Sequence, residues 1–120
     1  MDMKTIHIKN LDTFLFIVTG KKKFELRRMT NFFTSIVLNE IVIIRWTIHS
    51  IKCKITSIKE YDTLDDVFND IKFDKDNVPF NSLVPNCKNS NEGITKYLNY
   101  YKKYESLNNK YLLFGISIVI

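Results

Sequence analysis

Lys22, Glu25 and Arg27 stand close together near the start of the chain, just after Gly20 and within a run of further cations, Lys21, Lys23 and Arg28. Phe24 and Leu26 alternate with Glu25 and Arg27, the two-residue period of a strand, so Glu25 and Arg27 project from one face. A lysine crowded by Lys21, Lys23 and Arg27 in a partly desolvated cleft has its pKa lowered, which favours the neutral amine that a base or nucleophile needs. Glu25 acts in the opposite direction, holding Lys22 as a cation for phosphate or carbonyl oxygen. The same carboxylate is also a candidate general base. Arg27 suits bidentate contact with phosphate or carbonyl better than proton transfer. Lys22 and Glu25 are therefore the candidate catalytic residues. Gly20, Lys21, Lys22, Lys23, Glu25, Arg27 and Arg28 are the candidate ligand-binding residues.

Other chemistries find little support. A thiol nucleophile needs Cys53 or Cys87 beside His7 or His49, yet Cys53 shares an apolar strand face with Ile51 and Ile55. Glycines at 20, 93 and 115 are too dispersed to build a phosphate loop. No His-Glu-x-x-His or Cys-x-x-Cys spacing occurs, so no protein-built metal site and no cofactor are expected. Tyr97, Tyr101 and Tyr104 share one helical stripe that reads as packing. Trp46 and Tyr61 are as suited to a core as to stacking on a base.

The elements that position these residues follow from periodicity. Lys4–Lys9 alternates as a strand. Leu11, Phe14, Leu15 and Val18 mark one face of a helix, with Asn10 or Asp12 as cap and Gly20 just beyond its end. The charged motif opens a second strand. Met29–Asn39 reads as a loop. Ile41–His49 and Ile51–Lys59 form an antiparallel hairpin turning near His49–Ser50. A short helix follows Asp62 or Thr63, with Leu64, Val67, Phe68 and Ile71 as its apolar face. Phe73–Asn91, with Pro79 and Pro85, reads mostly as loop. Asn91–Lys103 is a helix, and Lys110–Ile120 is a last strand long enough to pair centrally. The expected class is α+β: a small, partly closed β-barrel of about five to six strands with two to three peripheral helices, in a single domain spanning residues 1–120.

Composition sets the background. The 120 residues carry a net charge of +5 and are 45% hydrophobic, enough for one packed core. Ile, Lys and Asn fill 43 positions while Ala and Gln are absent, a bias of AT-rich coding that explains many scattered lysines and fits a cellular or a viral source. The excess is local: residues 1–60 hold 11 basic and 5 acidic side chains. No apolar run reaches the ~20 residues of a membrane helix, and no leader pattern opens the chain. A soluble, cytoplasmic protein with no membrane partner is expected.

Gly20-Lys21-Lys22-Lys23-Phe24-Glu25-Leu26-Arg27 resembles the ASCH family of the PUA-like β-barrel superfamily, whose motif is Gly-x-Lys-x-x-Glu-x-Arg. Similarity extends to Ile55-Thr56-Ser57-Ile58-Lys59-Glu60-Tyr61, to the short helix at Thr63–Phe68, and to Glu92-Gly93 through Tyr100-Tyr101. Two departures are Asn39-Glu40, where many relatives carry Gly-Asp, and Leu112, where a glycine often begins the last strand. The resemblance implies a PUA-like barrel with a cleft for RNA, a nucleotide or a modified nucleoside, lined by Lys22, Glu25 and Arg27. It also implies an alternative, a metal-independent hydrolase or ribonuclease, because a similar bacterial branch hydrolyses N4-acetylcytidine with the motif lysine. There a threonine stands at the position of Glu25. A purely structural or protein-binding module is the remaining alternative.

Overall fold

The computed structural model describes residues 3–70, 90–101 and 110–120. The elements run β1 (Thr5–His7), α1 (Leu11–Val18), β2 (Phe24–Arg28), α2 (Asn31–Thr34), β3 (Ile41–Trp46), β4 (His49–Tyr61), α3 (Leu64–Asp70), α4 (Ser90–Tyr101) and β5 (Tyr111–Ile118). The five strands form one sheet in the order β1-β3-β4-β5-β2, with β1 parallel to β3 and the other neighbours antiparallel. The sheet curls into a half-barrel. Its curvature brings the two edges within reach of one side chain, since Arg27 of β2 donates from Nη2 to the His7 carbonyl of β1 at 2.9 Å.

Alternation decides which face each residue takes. Val42, Ile44, Cys53, Ile55 and Phe114 are all 0% exposed and fill the concave face, where Phe14 and Ile17 of α1 pack onto them. Burying each of the larger side chains contributes about 2 kcal/mol before entropy is counted. The opposite face of β5 and β2 buries Leu113 and Leu26, paired across the ladder. On α3, Leu64 and Val67 are buried, as is Tyr61 at the end of β4. Tyr61 Oη donates to Asp70 Oδ2 at 2.7 Å, and Lys59 pairs with the same carboxylate, so the far end of α3 is tied to β4.

Several expectations are corrected. The buried stripe of α1 is Phe14 and Ile17, and Leu11, Leu15 and Val18 stay partly exposed, because α1 meets the curled sheet on a narrow line. Among the described residues there are five strands and four helices. The additional helix is α2, within the stretch expected to be loop. Its Thr30 cap accepts from the Phe33 amide at 3.2 Å, and its Phe33 sits 6.1 Å from Phe114 over the barrel's open side. The hairpin turns at Thr47 and Ile48, not at His49–Ser50. Thr47 takes φ +51, and Trp46 pairs with His49. Trp46 packs between Phe14 and a stacked His49.

The expected helix caps and the place of the last strand hold. Asn10 caps α1 by accepting from the Thr13 amide, and Thr63 does the same for Asp66 in α3. The last strand does pair centrally, between β4 and β2. The expected loop between 73 and 91 lies almost wholly outside the described residues, as do Cys87 and Tyr104. No described helix is long and apolar enough to cross a membrane.

Candidate functional site

The C-terminus of α1 decides where Lys22 goes. Thr19 and Gly20 donate to the Leu15 and Ile17 carbonyls at 2.9 and 3.0 Å, and the Lys22 amide folds back onto the Phe16 carbonyl at 2.9 Å. The last carbonyls of the helix are thereby satisfied. Closing this turn requires φ +76 at Gly20, the left-handed region that glycine enters without steric cost. The reversal leaves Lys21 and Lys23 in solvent and turns Lys22 inward, where it is only 3% exposed. Lys21 lies over the Phe16 ring at 5.5 Å.

β2 then carries Glu25 opposite Phe114 and Arg27 opposite Leu112, so both charged side chains share the concave face with the apolar core. Lys22 Nζ stands 3.7 Å from Glu25 Oε1, and Arg27 Nη2 stands 3.7 Å from Glu25 Oε2. Glu25 is 4% exposed. Its Oε2 is buried and accepts no hydrogen bond from the described residues. Arg27 also lies over the Phe33 ring at 5.4 Å. Burial pushes the Lys22 pKa below its ordinary value. Glu25 partly opposes this, and Arg27 adds to it.

A cleft of about 510 Å3 opens beside this chain of charges, between the α1–β2 turn and the C-terminal half of β5. Of the residues expected at the site, Gly20, Lys22 and Lys23 line it. Glu25 and Arg27 stand behind Lys22, while Lys21 projects to solvent and Arg28 lies further along β2 opposite Tyr111. Cys53 also reaches the lining, and burial raises its thiol pKa to about 11, which suits a packed thiol and not a nucleophile.

Residues that the motif did not reveal complete the wall: Thr56, Gly115 and Ser117. Thr56 is the extra residue of an irregularity where β4 shifts register against β5 between Ile55 and Ser57. A Cβ at Gly115 would come within 2.4 Å of Ser57 Oγ and 2.6 Å of Thr56 Oγ1, so a glycine there admits the bulge. The signal in the sequence was faint: one glycine in an apolar strand and a Thr-Ser pair in an alternating one.

No family model matches the chain. No curated protein matches it in sequence. Solved structures do match in shape. The crystal structure of hypothetical protein PH0355 superposes with a TM-score of 0.73 at 20% identity, covering 98% of this chain and 100% of that one. The solution NMR structure of protein PF0455 from Pyrococcus furiosus gives 0.62 at 18% identity, covering 99% and 98%. Likeness at this level of identity speaks to the fold.

Proposed function

We propose that this chain is a PUA-like, ASCH-type module whose cleft binds a nucleoside or nucleotide, free or as part of an RNA. The observation that carries this reading is Lys22: a lysine 3% exposed that nonetheless forms part of a cleft wall. Burying an ammonium group costs several kcal/mol unless partners compensate it. Glu25, at 3.7 Å, is shared with Arg27, and two cations around one carboxylate would attract an anionic or carbonyl group that enters the cleft. A cleft of about 510 Å3 matches the size of one nucleotide. Thr56 and Ser117 add neutral hydroxyls.

Calorimetric titration with the four ribonucleoside monophosphates and a short single-stranded RNA tests this. Wild type should bind, and Lys22→Met should weaken binding at least tenfold. Thr56→Val, a change of similar volume that removes only the hydroxyl, should weaken it several-fold. RNA affinity should also fall as salt rises. Absence of binding by folded wild type sinks the proposal.

The lowered Lys22 pKa favours a second reading, metal-independent hydrolysis of an N-acylated nucleoside such as N4-acetylcytidine. Neutral Lys22 would accept a proton as water bonds to the acetyl carbon, and Glu25 would stabilise the ammonium so formed. That ammonium would return the proton to N4 as the C–N bond breaks and acetate leaves. Incubation with N4-acetylcytidine should then release acetate from wild type and none from Lys22→Met. Failure of wild type to turn over a panel of N-acyl nucleosides removes this reading and leaves binding intact.

A further inference from the structure

Resting on the nucleotide-binding reading above, we infer that the main chain of Ile118 reads the ligand's base, pairing through its N–H and C=O with an edge that carries a hydrogen-bond donor next to an acceptor. The bond pattern of β5 fixes the direction of these groups. In an antiparallel ladder, successive residues point their main-chain groups alternately to the two neighbouring strands. The Val119 amide donates to Lys52 of β4 at 3.0 Å, and the Ile116 amide donates the other way, to Lys23 at 2.9 Å. Ile55, opposite Ile116, sends its own main-chain groups toward Glu40 and Asn39, away from β5. Ile118 shares the parity of Ile116 and faces Cys53 of β4, which shares that of Ile55. Its N–H and C=O therefore point away from β4, toward the side where β2 lies.

β2 does not extend that far. Its first residue, Phe24, pairs with Gly115, and the turn through Lys22 and Lys23 carries the chain back to α1. The gap left beside Ile116, Ser117 and Ile118 is the cleft itself. In extended backbone the N–H and C=O of one residue lie side by side, which matches the paired donor and acceptor of a nucleobase's Watson–Crick edge. An extended peptide is a poor occupant. Adding a strand needs several consecutive main-chain pairs, and only this short stretch of β5 is left beyond Phe24, with the Lys23 carbonyl already occupying Ile116 N–H. A base held here has Lys22 and Lys23 on the same cleft wall to meet its phosphate or carbonyl oxygens.

Proline at position 118 is the direct test, because it deletes an N–H that serves no ladder bond to β4, and proline is accepted in strands at such positions. Binding of the four ribonucleoside monophosphates is measured for wild type, Ile118→Ala and Ile118→Pro. The tightest of the four is then compared with its counterpart methylated on the Watson–Crick edge. Ile118→Pro should bind at least tenfold more weakly than Ile118→Ala, which loses the same side chain but keeps the N–H, and the methylated nucleotide should bind wild type at least tenfold more weakly than its parent. Equal affinity of Ile118→Pro and Ile118→Ala, or undiminished binding of the methylated nucleotide, overturns the inference while leaving the cleft as a nucleotide site. If Ile118→Pro does not fold, the methylated nucleotide decides alone. If wild type binds neither any of the four nor the single-stranded RNA, both readings fall together.

Discussion

At Lys22 a buried ammonium group stands 3.7 Å from the Glu25 carboxylate, and that carboxylate is shared with a guanidinium at the same distance. Lys22→Met should therefore cost about 3 kcal/mol in chemical denaturation, mostly because Glu25 is left with less compensation. The double variant Lys22→Met/Glu25→Gln should lose less than the sum of the two single changes. The pH dependence has a definite sign. Because burial lowers the Lys22 pKa from its ordinary 10.5, the folded chain releases this proton at lower pH than the unfolded chain does. Between the lowered value and 10.5 the unfolded state binds more protons, so this group makes stability rise with pH across that window and contributes no slope below it. Melting curves of wild type minus Lys22→Met should show that rise; a flat or falling difference would mean that Glu25 outweighs burial. Cys53 offers a simpler check. With its thiol pKa raised to about 11 it should resist iodoacetamide at pH 8 in the folded protein and react once the chain is denatured, as read by peptide mass spectrometry.

At the scale of elements, two backbone devices hold the site open. Gly20 at φ +76 lets the chain reverse off α1, and Gly20→Ala should cost about 1–2 kcal/mol, with Gly20→Asn milder. Gly115 accommodates the Thr56 bulge. Gly115→Ala should destabilise by about 1–3 kcal/mol, and adding Ser57→Gly should recover much of the loss, because the closest clash is with Ser57 Oγ. The motif alternation and the α1 cap were legible because they depend on neighbours a few residues apart. α2 was not, since four residues carry no period, and the hairpin turn was misplaced because Thr47 bears a positive φ without being glycine. Asn39-Glu40 shows how the turn into β3 is built without glycine. Asn39 takes φ +70, the backbone role a glycine would fill. Glu40 accepts from Val37 N–H at 3.0 Å and pairs with Lys4, which also donates to the Ser35 carbonyl. Together these contacts hold the Glu40 pKa below the usual carboxylate range.

For the whole molecule, the sequence made the α+β class, a partly closed barrel and the central last strand legible, but not the contacts that join the two edges of the curled sheet. Arg27 meets the His7 carbonyl across 20 positions of chain and lies over the Phe33 ring, contacts between residues that no local period brings together. The β4 and β5 walls of the cleft escaped for the same reason, since only its α1–β2 part forms a contiguous motif. Amide hydrogen exchange should follow this architecture. The β4 and β5 amides that bond each other should exchange slowest, near the global unfolding rate, and those of the short edge strand β1 distinctly faster. Equal protection of β1 and β5 would argue that the edges are joined more firmly than by Arg27.

The place of β5 also bears on how the protein is made. It follows every other described element, yet it lies between β4 and β2, so β2 and this edge of β4 stay without it until Tyr111–Ile118 has left the ribosome. Until then β2 has no strand neighbour and Glu25 lacks Phe114 opposite it. At an elongation rate of roughly 5–20 residues per second, the growing chain holds an unpaired β4 edge for several seconds. Ribosome-bound chains that stop short of β5 should thus be far more sensitive to protease than chains extended by a linker, and the gain in resistance should come in one step.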